Sequence, residues 1–353
     1  MRRNLALITI FAFLILIVSC KRDVIPDSVV SSQQNILLYS RYNENGQVVI
    51  VQQDVTDRVM RQWIARQNVD YPLRSPDGTQ VAYFVYEGTE VFSLWVADNL
   101  GQNARKIGGP YPFYAGNMGA EWSFDARYLA FRVSPDPNQA FVYIVDATTD
   151  GEVEIIPGWD FAWSHQNNQL AVYTGSLIQI WDIENRLSQD LLDVYVPNPN
   201  NGLAWLVSQQ TVVFLADLRQ QIMGIYSVDV VDKRVHLLLP DDPDLAYRSL
   251  CCLQVSPNGK YIAFLMNSQS LSGVVGIANL MVLDVDSAEV FAVDGDISGP
   301  IVWSPDSRYI AYGNLTDETG EPIGSWDLFL FSLDQRSVTR LTYDRAAPTG
   351  LTW

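Results

Sequence analysis

Residues 301–312, IVWSPDSRYIAY, restate with substitutions LQVSPNGKYIAF at 253–264, EWSFDARYLAF at 121–131 and LRSPDGTQVAYF at 73–84. A short unit of this kind cannot bury its apolar face alone. Copies must stack on one another, so the unit and its copy number set the fold. Aligned on the residue before the Ser, the anchors are Arg74, Trp122, Trp163, Trp205, Val255, Trp303 and Trp353, at intervals of 48, 41, 42, 50, 48 and 50 residues. That period fits a four-stranded propeller blade and not a two-helix solenoid unit.

The pattern inside each interval is one of strands. The anchor is followed by a turn, SPDG at 75–78, SFDA at 123–126, SPNG at 256–259 or SPDS at 304–307. Gly, Asn and Asp tolerate the left-handed backbone of a tight hairpin, and Pro presets its first dihedral. An apolar run follows, such as VAYFVY at 81–86 or YIAFLM at 261–266. A third run then ends on an acidic residue: Asp98, Asp146, Asp182, Asp229, Asp284 or Asp334. A fourth short run closes the unit, as in VEII at 153–156 and VTRLT at 338–342. No long 3.6-residue periodicity interrupts this after the N-terminus.

The two ends complete each other. ILLYS at 36–40 matches a second strand, VVIVQQD at 48–54 a third and RVMRQW at 58–63 a fourth, so the first blade lacks its innermost strand. PTGLTW at 348–353 matches an innermost strand with no blade after it. The expected architecture is all-β: a seven-bladed β-propeller of four-stranded antiparallel blades over 35–353. Pairing of the C-terminal strand with the N-terminal blade closes it and leaves no free sheet edge.

The unit W-S-P-D-G, an apolar strand, a strand ending in Asp, then R-x-L-T, resembles the TolB-type propeller repeat, a relative of the WD-repeat. It stands here as WSPDSRYIAY, DLFLFSLD and TRLT. The resemblance covers nearly all of residues 35–353. It is weak at 163–167 (WSHQN) and 205–209 (WLVSQ), where the turn is degenerate. It implies a binding scaffold whose blade motif carries no activity. Asp77, Asp125 and Asp306 are accordingly read as turn residues that accept backbone N–H bonds, and the recurring Trp residues as wedges between sheets.

The catalytic alternatives lack parts. The chain has two His residues, His165 and His236, and neither has a second ligand at metal-binding spacing. No G-x-S-x-G, P-loop or dinucleotide fingerprint occurs. No cofactor and no metal are therefore expected, and the protein is read as not an enzyme. The rival reading is a polysaccharide hydrolase or lyase with carboxylates paired across blades in the central funnel. A net charge of −17 without a basic block argues against nucleic acid as a partner.

Arg2 and Arg3, an apolar run from Leu5 to Val18, and Ile17-Val18-Ser19-Cys20 resemble a bacterial lipoprotein signal with its lipobox. The resemblance implies a signal peptide over 1–20, lipidation of Cys20, and an extracytoplasmic domain anchored to a bacterial membrane. Residues 21–34 read as a flexible tether. Cys251 and Cys252 are adjacent; a disulfide between them would close a strained eight-membered ring. The simpler expectation is two small strand residues facing opposite sides of the sheet.

Recognition belongs in loops that differ between blades. The long ones join one blade to the next or link second and third strands, and both classes lie on one face. They bring Tyr111, Phe113 and Tyr114, then Tyr195, then Asp241, Asp242 and Tyr247, and finally Trp326 at the end of an insertion. An aromatic and acidic rim suits a protein, peptide or glycan partner from the cell envelope.

Overall fold

The computed structural model describes residues 35–88, 91–112, 119–136, 138–149, 151–195, 202–207, 210–216, 218, 223–239, 250–267, 278–315, 326–343 and 350–353. Three strands open the first blade: β1 (Ile36–Tyr42), β2 (Val48–Asp54) and β3 (Met60–Gln62). The second blade is β4 (Val69–Arg74), β5 (Gln80–Tyr86), β6 (Val91–Asp98) and β7 (Arg105–Pro112). The third is β8 (Ala120–Trp122), β9 (Tyr128–Asp136), β10 (Gln139–Asp146) and β11 (Gly151–Pro157). The fourth is β12 (Asp160–Trp163), β13 (Gln169–Tyr173), β14 (Leu177–Asp182) and β15 (Leu187–Asp193). The fifth is β16 (Leu203–Trp205), β17 (Thr211–Ala216), β18 (Gly224–Asp229) and β19 (Val235–Leu237).

The sixth blade begins with β20 (Leu250–Val255), β21 (Tyr261–Asn267) and β22 (Ala278–Asp284), and the seventh continues with β24 (Tyr309–Leu315), β25 (Trp326–Ser332) and β26 (Ser337–Arg340). Between them runs one strand of 14 residues, β23 (Val290–Trp303). Its first half pairs with β22 and its second half with β24, so it is both the outer strand of one blade and the innermost strand of the next. Where it crosses over, Asp294 accepts hydrogen bonds from the Tyr312 hydroxyl at 2.7 Å and the Asn314 amide at 2.8 Å.

The ring closes as the repeat count requires. The last strand, β27 (Leu351–Thr352), pairs antiparallel with β1, Leu38 opposite Thr352 and Tyr39 opposite Leu351. The Ser40 N–H donates to the Gly350 carbonyl at 3.0 Å. Arg74 of the second blade reaches across the seam, its Nε donating to the main-chain oxygen of Trp353 at 3.0 Å.

Seven apolar clusters fill the clefts between neighbouring blades, one per cleft. Successive side chains of a strand point to opposite faces, so each strand feeds two clusters. Ala82 and Phe84 face the third blade, while Val81, Tyr83 and Val85 face the first. Burial on both faces is why the strands read as continuous apolar runs rather than alternating ones.

The recurring polar residues serve this frame. In the hairpin at 75–80, Ser75 Oγ donates to Asp77 at 2.6 Å and accepts from the Gln80 N–H at 3.0 Å, and Asp77 accepts the Thr79 N–H at 3.0 Å. Ser123 with Asp125, Ser256 with Asn258 and Ser304 with Asp306 repeat the arrangement. Partial burial acts to raise the Asp77 carboxyl, but its hydrogen bonds from Ser75 and Thr79 hold it below the usual range. The degenerate turn at 163–167 keeps the same backbone closure, Ser164 N–H to the Gln169 carbonyl at 2.9 Å.

The anchor tryptophans tie blade to blade. The indole N–H of Trp122 donates to the Leu73 carbonyl at 2.9 Å, that of Trp163 to Glu121 at 3.2 Å, and that of Trp303 to Gln254 at 3.0 Å. The tyrosine opening a second strand stacks on the next anchor: Tyr128 on Trp163, Tyr261 on Trp303 and Tyr309 on Trp353, with centroids 6.4, 6.1 and 6.4 Å apart.

Two substitutions test the closure. Trp353→Ala should cost about 3–5 kcal/mol of unfolding free energy in a urea titration, as for other buried aromatics. Gly350→Ala should also destabilise, because a Cβ there would lie 2.6 Å from the Tyr71 Cα. An unchanged midpoint in both would mean that the seam contributes little.

Candidate functional site

The innermost strands surround a central cavity of about 220 Å³. Leu73, Ile301, Val302 and Leu351 supply its apolar wall. Glu121, Arg132, Asp160, Gln254 and Thr352 supply the polar one. Six of the seven blades contribute, the fifth being the exception among these lining residues.

Asp160 opens β12 and is 5% exposed. Its Oδ2 accepts the N–H groups of Gly202 at 2.5 Å and Leu203 at 2.9 Å, and its Oδ1 accepts the N–H of Phe161 at 3.0 Å. It therefore ties the fourth blade to the start of the fifth. Burial pushes its carboxyl up to about 7, even though three amides and the nearby Arg132 favour the charged form. Arg132 is itself buried, which lowers its pKa, and its guanidinium donates to the Trp159 carbonyl at 3.0 Å.

Glu121 lies in the middle of β8. Among the described residues its carboxylate accepts the Trp163 N–H at Oε2, 3.2 Å away. Burial pushes this carboxyl up to about 7 as well, so it half-ionises near neutral pH. Both carboxyls are thus bonded to amides of the same strand, β12. Asp160 is committed to joining blades. Glu121, among the described residues, accepts one amide and borders the cavity.

The residues expected to line the long-loop face divide. Tyr111 is not on a rim. It belongs to β7, which runs on to Pro112, and pairs with Phe92. Its ring is 2% exposed and packs against Phe131 and Tyr143 at centroid distances of 4.9 and 5.3 Å. Strand alternation turns it into the cleft between the second and third blades. Tyr195 follows β15 and is 70% exposed on the expected face. Trp326 opens β25, opposite Leu315. Phe113, Tyr114, Asp241, Asp242, Tyr247 and Cys20 lie outside the described residues.

Sequence reasoning missed Tyr42 and Tyr343, 51% and 66% exposed. Tyr42 ends β1 and Tyr343 follows β26, so both stand on the same face as Tyr195. Tyr42 is the last residue of its strand and Tyr343 lies three residues beyond the end of its own, and they are legible only once the face of each strand end is known. Glu121, Arg132 and Asp160 were missed because they occupy different repeat positions, and only ring closure brings them together.

Cys251 and Cys252 do not face opposite sides. Their sulfurs are 2.8 Å apart. The pairing of β20 with β21 slips between Cys251 and Gln254, and Cys252 has a left-handed φ of 64°, which turns its side chain back beside its neighbour's.

His165 and His236 are exposed and lie on different blades. Among the described residues no group of three or more His, Cys, Asp or Glu side chains is placed to hold a metal ion. No helix among them is long and apolar enough to cross a membrane.

No protein-family model and no curated protein matches this sequence. Solved structures do. TolB from Acinetobacter baumannii aligns over 90% of this chain and 82% of its own, at 15% identity and a TM-score of 0.55. The chain has the propeller fold seen in TolB. The ring also resembles the β-propeller domain of the trilobed protease from Pyrococcus furiosus (16% identity, 89% of this chain and 94% of that one, TM-score 0.60), which has an open velcro topology. Here the velcro is shut by β27. An oligogalacturonate lyase in complex with manganese matches over 86% of this chain and 84% of that one, at 12% identity and a TM-score of 0.54. At such identities the likeness is one of fold.

The two cavity carboxyls should respond oppositely to removal. An acid whose pKa is raised on folding loses stability as pH rises from its unfolded value towards its folded one. Glu121→Gln should thus match the parent near pH 4.5 and exceed it by about 1–3 kcal/mol above pH 7, measured by urea unfolding across that range. Asp160→Ala strands two amides of the fifth blade and one of its own, and should destabilise by about 2–4 kcal/mol at neutral pH.

Proposed function

We propose that this protein is a lipid-anchored, extracytoplasmic propeller that captures a protein, peptide or glycan of the cell envelope on its long-loop face and catalyses nothing. The observation that carries the reading is the placement of exposed tyrosines. Among the described residues Tyr42, Tyr195 and Tyr343 are the exposed tyrosines, they come from the first, fourth and seventh blades, and all three stand on that face. Tyrosine offers a large apolar body and a hydroxyl at low entropic cost, which suits partner contact. The Arg340 guanidinium lies 4.6 Å over the Tyr343 ring and steadies it.

The chemistry of the carboxylates supports the same reading. The motif Asp residues are engaged by their turns, and Asp160 by three amides that join the fourth blade to the fifth, which draws these carboxylates into the frame. The rival reading, a polysaccharide hydrolase or lyase, draws on the raised carboxyl of Glu121 beside the cavity.

The connectivity suits a membrane anchor. Asn35 precedes β1 and its carbonyl accepts the Val55 N–H, next to the turn between third and fourth strands. The described chain therefore enters the propeller on the short-turn face, opposite the exposed tyrosines.

Joint replacement of Tyr42, Tyr195 and Tyr343 by Ala should reduce recovery of the envelope partner by about tenfold or more in a pull-down, with a melting temperature within about 2 °C of the parent. Undiminished recovery would count against this face. Turnover of an acidic polysaccharide that Glu121→Gln abolishes would favour the enzyme instead. Cys20→Ser should move the protein from the membrane pellet to the soluble fraction and end its labelling by fatty acid; retention in the pellet would sink the anchor.

A further inference from the structure

The structure assigns to Cys251 and Cys252 a reversible thiol–disulfide exchange site in the innermost strand of the sixth blade. In a regular strand two adjacent side chains diverge. Here the slipped pairing of β20 and the left-handed Cys252 bring the sulfurs to 2.8 Å, less than about 1 Å from bonding distance. Both side chains are half-buried and pack against the apolar cluster between the sixth and seventh blades. The distortion is local to these residues, since Gln254 and Val255 resume the pairing with Ala263 and Ile262.

The two thiols are unequal. The Cys252 S–H donates to the Cys251 sulfur, which lowers the Cys251 pKa; the same bond, followed by burial, raises that of Cys252. Cys251 is therefore the attacking sulfur. Its thiolate attacks one sulfur of an external disulfide, forms a mixed disulfide and expels one thiolate, which takes up a proton. Cys252 then gives up its proton and attacks the Cys251 sulfur, releasing the second external thiol. The protein dithiol is oxidised to a disulfide and one external disulfide is reduced to two thiols.

A loop with no intervening residue gains little from cross-linking the unfolded chain, so the bond is not a staple. Strain in the ring makes it easy to reduce again, which suits exchange. The site draws on the extracytoplasmic reading only for its natural oxidant.

The test uses the purified full chain in detergent with oxidised glutathione as the probe, followed by acid quench, iodoacetamide and mass analysis of the peptide carrying both residues. Reduced protein should take up two labels. Treated protein should take up none and be lighter by two hydrogens, and dithiothreitol should restore both labels. Cys252→Ser should trap a lasting glutathione adduct on Cys251. Two labels after treatment, or stable glutathione on both sulfurs of the parent, would overturn the site. A Cys252→Ser protein with an unchanged melting temperature and no adduct would overturn Cys251 as the attacking sulfur.

Discussion

The pairing of two residues, Leu351 and Thr352, with Leu38 and Tyr39 is the contact on which the ring depends. Without it the first blade would show an unpaired inner edge beside the cavity, and the cluster between the seventh and first blades would lose Leu351 and Trp353. The seam is reinforced from three directions. Trp353 is buried against Tyr309 of the seventh blade, Arg74 of the second blade holds its main-chain oxygen, and Gly350 lets the chain pass close to Tyr71. The joint thus involves all three neighbouring sheets, which is what a non-local closure requires if it is to offset the entropy of bringing distant segments together.

The repeated residues are taken up by the frame. Ser and Asp complete the first hairpin, an Asp ending the third strand caps the next turn, as Asp98 and Asp229 do, and the Trp indoles bond carbonyls of the preceding blade. Arg127 with Asp146 and Arg308 with Asp334 add ion pairs beside the stacked Tyr residues at 3.0 and 2.8 Å. Distinctive chemistry is then left to positions where a blade departs from the repeat. Glu121, Arg132 and Asp160 do so at the cavity, Cys251 and Cys252 in the sixth blade, and Tyr42, Tyr195 and Tyr343 on the long-loop face.

That division explains how a ring can match TolB and a manganese-bound lyase in fold at 15% and 12% identity. Clefts packed by aliphatic and aromatic side chains tolerate many volume-conserving exchanges. The residues at which the blades depart from the repeat, such as Glu121, Asp160 and Cys252, are few, and a shared fold does not carry them from one ring to another.

Much of the fold was legible because its cause is local. A period near fifty residues, turn chemistry at fixed offsets and complementary ends determined strands, blade count and closure from sequence alone. The limits of the strands were less legible: β7 runs through Tyr111 into what reads as loop, and β23 serves two blades without a break. The cavity carboxyls, the exposed tyrosines and the meeting of the two sulfurs were decided by the tertiary structure alone. They depend on which strand ends share a face, which inner strands meet across the axis and where one residue slips its pairing. Those are distances between segments far apart in the chain, or a left-handed backbone at a single Cys, and residue order does not encode either as a local pattern.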